Sequence, residues 1–191
     1  PIELNDFVLW RYCLKYGRVA NREQDIKKSR KIDFYMTNPQ LELKLKKDTV
    51  QLRKDAYLAF AKISASPEKS ANLFYVLEKE RKEYVMKTRV ELNANEPTDV
   101  ELLLEHVATK KPATFLKAAK DKNIEMRAFI ARCIETGHLR RVPNTDRIIY
   151  GDNEVIGSST NDAIAFLMSE KEPRNQQVRQ ELEAKLQYQK K

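Results

Sequence analysis

The sequence predicts a mainly α-helical protein with one small antiparallel β-meander. Charged residues make up 34% of its 191 residues and only four are glycine, which is typical of helices with solvated faces. Apolar residues recur at helical spacing along most of the chain, whereas residues 138–157 alternate short β-favouring runs with turn residues. The length allows either one large domain or two small ones.

The first half of the chain is predicted to be mainly helical, with "NREQDIKKSRK" as a short helix or a loop and "IDFYM" as a short extended segment before Pro39. The segment "LNDFVLWRYCLKYG" favours a helix that Gly17 ends. Its apolar stripe consists of Val8, Leu9, Tyr12, Cys13 and Tyr16. Two longer helices, beginning near Pro39 and Pro67, are expected to form an antiparallel hairpin across "SAS". The interruption "NANEP" then marks a boundary, so residues 1–96 are predicted to form an N-terminal helical region.

Three shorter helices are predicted after this boundary, in "TDVELLLEHVA", "KPATFLKAAKDK" and "NIEMRAFIARCIETG". Thr98 and Glu101 have the spacing of a capping box at the start of the first. Asn123 is the expected cap of the third, and Gly137 lies just past its end. The first and third helices therefore each have a start or stop signal of their own.

The predicted β-meander follows in "HLRRV", "RIIY" and "EVIG", with turns at "PNTD" and "GDN". Ser159 or Thr160 is the expected cap of one more helix. The polar tail "PRNQQVRQELEAKLQYQKK" favours an exposed helix. We therefore predict a second module at residues 97–170 and a C-terminal polar helix at residues 171–191.

Positive charge is concentrated in one part of the chain. The formal net charge is +8, and residues 109–147 contain ten basic residues against four acidic ones. A basic chain attracts nucleic acid, acidic membranes and acidic proteins alike, so charge alone does not identify the partner.

Several classes of chemistry lack their usual sequence signals. Four glycines cannot build a phosphate-cradling loop, and no pair among the two histidines and two cysteines has the spacing of metal ligands. We therefore expect no cofactor, no metal and no small-molecule substrate, and interpret the chain as a non-enzyme.

Cys13 and Cys133 are expected to be buried free thiols in a reducing environment. No apolar run approaches the length that spans a bilayer, so no membrane partner is expected.

The pattern helix–Gly–x–Leu–Arg before a hairpin, present in "IETGHLRRVPNTDRIIYG", resembles that of winged helix-turn-helix domains. The resemblance covers residues 98–157. It implies a winged-helix-like module after the predicted N-terminal helical hairpin, and the third helix of this module would lie in a DNA major groove. It also implies that this helix shows its outward face through Arg127, Ala128, Ala131, Arg132 and Glu135.

Two roles remain open for this module, because winged helices also dock proteins and arginines on a hairpin can simply discourage strand pairing. If it binds nucleic acid, the expected contact residues are Lys110, Lys111, Arg127, Arg132, Arg140, Arg141 and Arg147.

Aromatic residues cluster near the N-terminus beside basic ones. The cluster comprises Trp10, Tyr12, Tyr16, Phe34 and Tyr35. Base stacking is one interpretation, and packing against the helical hairpin or a neighbouring subunit is the other. We expect a protein interface here.

The passages "YGDNEVIGSSTNDAIAFL" and "EPRNQQVRQELEAKL" resemble those of small virion-associated proteins of large tailed bacteriophages, including crAss-like phages. This resemblance implies a non-enzymatic assembly component in the virion, or in the host cytoplasm during assembly, with other protein subunits as partners and DNA as a second candidate. The alternative is a winged-helix DNA-binding regulator or packaging factor.

Overall fold

The computed structural model describes residues 3–16, 19–20, 34–35, 39–151 and 153–188. The helices are α1 (Leu4–Lys15), α2 (Pro39–Ser64), α3 (Pro67–Val76), α4 (Glu78–Thr88), α5 (Pro97–Lys110), α6 (Pro112–Ala119), α7 (Ile124–Glu135), α8 (Thr160–Met168) and α9 (Pro173–Tyr188). The strands are β1 (Val19–Ala20), β2 (Phe34–Tyr35), β3 (Leu139–Arg141), β4 (Ile148–Tyr150) and β5 (Glu154–Gly157). The predicted class, mainly α with a small antiparallel meander, is confirmed.

The chain forms two compact units, residues 1–51 and 52–191. The first contains α1, the short parallel pair β1–β2 and the beginning of α2. The second contains all the remaining elements, including the antiparallel sheet in the order β3–β4–β5. The predicted boundary at residues 96 and 97 falls inside this second unit.

A first core lies among α2, α3, α5 and α6. Its buried residues are Ala56, Leu73, Phe74, Leu77, Val100, Leu103, Leu104, Val107, Ala108, Phe115 and Leu116. Helices α5 and α6 pack on each other and on α3. The stripe that predicted α5, at positions i, i+3, i+4 and i+7, is therefore the face that enters this core.

A second core lies among α7, the sheet, α8 and α9. Its buried residues are Ile130, Cys133, Leu139, Ile148, Tyr150, Ile156, Ala163, Ile164, Leu167, Val178 and Leu182. Gly157 lies so close to α8 that a Cβ atom there would overlap the backbone nitrogen of Ala163. Helix α3 joins the two cores, because it packs on both α5 and α7. Its contact with α7 is the most extensive between any two of the described elements.

The helix ends show which local signals were interpreted correctly. Gly137 has φ +77° directly after α7, the left-handed conformation in which a helix commonly ends, as predicted. The Ser159 hydroxyl accepts a hydrogen bond from the backbone N–H of Asp162, so Ser159 is the cap of α8. The capping box at Thr98 was wrong: α5 begins at Pro97 with no side-chain cap.

Two other expectations at helix ends need correction. Asn123 holds the N-cap position of α7 as predicted, but its side chain forms no capping hydrogen bond; its backbone N–H donates to the Asp121 carboxylate at 2.9 Å. The single helix expected after Pro67 is broken at Leu77, which has φ −84° and ψ 33° and is buried in the first core. Helices α3 and α4 are consequently separate elements, and α3 is free to lie along α7.

Candidate functional site

Helix α7, which the winged-helix resemblance placed in a DNA groove, is an internal helix of the second unit. Its Ile130 and Cys133 face the second core, while α3 packs along another side. Ala128, expected on an open face, is completely buried. The predicted outward face is thus only partly open: Glu135 is exposed, whereas Arg127, Ala131 and Arg132 are half-buried and Ala128 is buried. Helix α3, from an earlier part of the chain, packs along α7.

Both arginines of that predicted face are bound within the protein. Arg127 is paired with Asp121 through Nε, and its Nη2 donates to the side-chain oxygen of Asn161 at 2.5 Å. Arg132 donates from Nη2 to the side-chain oxygen of Asn72 on α3 at 2.7 Å. Its guanidinium carbon also lies 5.1 Å from the ring centroid of Tyr75, a cation–π distance.

Lys111 is also bound within the protein, by an ion pair with Glu83. Its ammonium group lies 2.5 Å from the Glu83 carboxylate, which also binds Lys87 at 2.6 Å. The hydrogen bonds from Lys111 and Lys87 lower the pKa of Glu83 to about 2. Lys111 thus joins α4 to the end of α5.

Four of the predicted nucleic-acid contacts remain exposed: Lys110, Arg140, Arg141 and Arg147. Within the described residues, their side chains form no hydrogen bond or ion pair. Arg140 and Arg141 are successive residues of β3 and so point to opposite faces of the sheet. Arg141 acts on Glu78 of α4: burial raises the pKa of that carboxyl, but Lys82, Arg141 and Arg81 together lower it below its usual value.

A cleft of about 340 Å³ lies at the base of the β3–β4 hairpin. Its lining residues are Gly137, His138, Arg140, Ile149, Gly151 and Lys185. Only Arg140 belongs to the predicted set. Lys185, which comes from α9, was missed because nothing in the local sequence indicates which face of a polar helix meets the hairpin.

A larger cavity of about 700 Å³ lies among α3, residues 91–95, α7 and α9. Tyr75, Phe129 and Leu186 form part of its wall, with Arg132 and Glu135 beside them. Glu135 is ion-paired with Arg81 of α4 at 2.9 Å. The negative charge in the cavity wall is therefore paired with a cation from α4. The sequence did not predict this cavity, since its wall comes from four separate segments.

Of the predicted aromatic interface, Trp10 and Tyr12 are exposed on α1, and Tyr16 is exposed in the turn that follows it. Phe34 and Tyr35 form β2, but their side chains lie outside the described residues. Other large apolar residues of α1 are exposed as well: Leu4, Phe7, Val8 and Leu9. At 100° per residue these side chains lie around almost the whole circumference of the helix.

No protein family, curated protein or solved structure matches this chain. Among the described residues, no three side chains of His, Cys, Asp or Glu come together as metal ligands would. None of the helices described here has the length and apolar character needed to cross a bilayer.

Proposed function

We propose that this chain is a non-enzymatic assembly component, of a tailed-bacteriophage virion, that binds neighbouring subunits through helix α1. The phage setting rests on the resemblance of the two sequence passages given above. The binding role rests on one observation: the large apolar side chains that α1 exposes.

Helix α1 exposes many large apolar side chains to solvent. Leu4 is 77% exposed, Leu9 60% and Trp10 48%. A helix that is apolar on every side is normally buried, and a contiguous exposed apolar patch on a soluble protein commonly marks an interaction surface. The first neighbour is another copy of this chain, because most soluble oligomers are homo-oligomers.

One helix is too small for a stable interface by itself. Specific interfaces bury about 800 Å² per partner, whereas a 12-residue helix is only about 18 Å long. Leu43, Leu45 and Val50 of α2 are also more than half exposed and lie in the same unit as α1. These residues add to the exposed apolar surface that the N-terminal unit offers a partner.

The alternative function is DNA binding through the hairpin, and one observation favours it. Arg140, Arg141 and Arg147 remain exposed and unpaired within the described part of the chain. Phosphate contacts of this kind would make affinity fall steeply as salt rises. Since α7 is covered, such binding would use the hairpin without the recognition helix.

Size-exclusion chromatography with light scattering distinguishes the two functions. The purified chain is measured with and without a short DNA duplex, at low and moderate salt. Assembly predicts a concentration-dependent mass of at least two chains that neither DNA nor salt abolishes. A chain that stays monomeric at high concentration, and forms only a salt-sensitive DNA complex, would favour the alternative.

A variant assigns the assembly to α1. Leu9→Glu places a charge in the middle of the exposed apolar patch and should shift the chain to the monomer. Met86→Glu is the matched control, because Met86 is 80% exposed on α4 and lies outside the N-terminal unit. Equal loss of assembly in both variants would remove α1 as the binding element.

A further inference from the structure

The cleft at the base of the hairpin is formed where β3 begins and β4 ends. Leu139 pairs with Tyr150 in the antiparallel register, which brings His138 next to Gly151. We propose that this cleft binds a tetrahedral oxyanion of the phosphate class. The site is independent of the assembly function, since none of its residues belongs to the N-terminal unit.

The lining of the cleft carries cations and no carboxylate. Of its six lining residues in the described chain, Arg140 and Lys185 are positively charged and none is acidic. Neither cation is ion-paired to any described residue. Two cations that line one cleft, neither of them in an ion pair with a described residue, favour an anion there, and guanidinium with ammonium is a donor set typical of phosphate sites.

Lys185 is held at the cleft by Tyr150. Its Nζ lies 3.4 Å from the Tyr150 hydroxyl and 5.0 Å from the centroid of the ring. Glu181, one turn earlier on α9, accepts hydrogen bonds from the Tyr150 hydroxyl and from Gln177. These hydrogen bonds hold the pKa of Glu181 below its usual range, and Lys185 acts on that carboxylate through its charge but forms no ion pair with it.

The backbone leaves space for a bulky anion. Gly137 and Gly151 have φ +77° and +58°, and a Cβ atom at either would have no neighbour within 4 Å. His138 adds a third polar side chain to the wall, and its Nε2 is buried without a hydrogen-bond partner among the described residues. A volume of about 340 Å³ accommodates a phosphate group together with water.

Titration of the whole chain with inorganic phosphate, followed by amide NMR, tests this site. The chain has only four glycines, so their amide signals are readily assigned. Ionic strength is held constant with chloride. Gly137 and Gly151 should shift in a saturable way, whereas Gly157, packed against α8, should not.

Paired variants separate a built site from general charge. Arg140→Gln combined with Lys185→Gln should weaken phosphate binding at least ten-fold, since each charge-assisted hydrogen bond lost corresponds to about ten-fold or more. Lys122→Gln combined with Arg147→Gln removes the same charge from exposed residues outside the cleft and should bind phosphate as the unaltered chain does. Far-UV circular dichroism checks that both variants are folded, which the exposure of all four residues favours.

A second titration with a short DNA duplex identifies the source of the phosphate. If the duplex shifts the same glycines and competes with inorganic phosphate, the ligand is a phosphodiester of nucleic acid. If inorganic phosphate alone shifts them, the ligand is a free phosphate group. The proposal is overturned if neither titrant gives a saturable shift, or if the two double variants lose phosphate binding equally.

Discussion

Replacing Ala128 by lysine tests the position of helix α7. Ala128 is completely buried, and it lies one turn before Arg132, whose guanidinium reaches Asn72 of α3. Ala128 therefore faces α3, and its small side chain allows the two helices to approach closely. On an open recognition helix the same substitution would be harmless and could even strengthen DNA binding.

The expected cost follows from burial. Inserting a larger side chain into a packed interior costs about 1–3 kcal/mol, and leaving a cation there without a partner adds several more. Bending of the lysine stem towards solvent lowers part of this free-energy cost. We expect the free energy of unfolding to fall by at least about 3 kcal/mol, which for a chain of this size lowers Tm by about 6–12 °C.

Urea unfolding followed by circular dichroism measures this loss. Ala165→Lys and Ala184→Lys are matched controls at exposed helical positions, expected to stay within about 0.5 kcal/mol of the unaltered chain. An Ala128→Lys variant as stable as these controls would contradict the packing of α3 on α7.

Three further predictions address other parts of the second unit. Lys111→Met should lower Tm at neutral pH, because Lys111 pairs with the ionised Glu83 carboxylate. The Tm difference between the variant and the unaltered chain should disappear as pH falls from about 4.5 to 2, since Glu83 becomes protonated there. Tm measured across this pH range checks the prediction. Burial raises the pKa of Cys133 to about 12, so a thiol reagent should modify only Cys13 in the folded chain and both cysteines in denaturant. Gly157→Ala should cost about 1–3 kcal/mol in urea unfolding, because the new Cβ would overlap the backbone of α8.

Local pattern predicted most elements of the second unit, although not the break at Leu77, and it did not predict which elements cover them. The apolar stripe of α7 identified the face that enters the second core, and Gly137 identified its end. Nothing near Arg132 in the sequence indicates Asn72, which lies 60 residues earlier on α3. An alanine such as Ala128 is equally compatible with an open surface and with a close helix contact, so the second buried face of α7 could not be predicted.

In the hairpin cleft, too, local sequence could place some residues but not others. Strand periodicity of two separates Arg140 from Arg141, and the sequence could have assigned them to opposite faces. Lys185 reaches the cleft only because α9 packs its Val178 and Leu182 against the second core. That placement depends on contacts between distant segments, which no local pattern contains.

The emission of Trp10 tests the central claim, assembly through α1, most directly. Trp10 is the only tryptophan of the chain and is about half exposed on α1, so its fluorescence reports on this helix alone. Raising the chain concentration should move its emission to shorter wavelength along a saturable curve, while Leu9→Glu should keep the emission of the dilute chain at every concentration. An emission maximum that does not change with concentration in the unaltered chain would contradict the assembly role of α1.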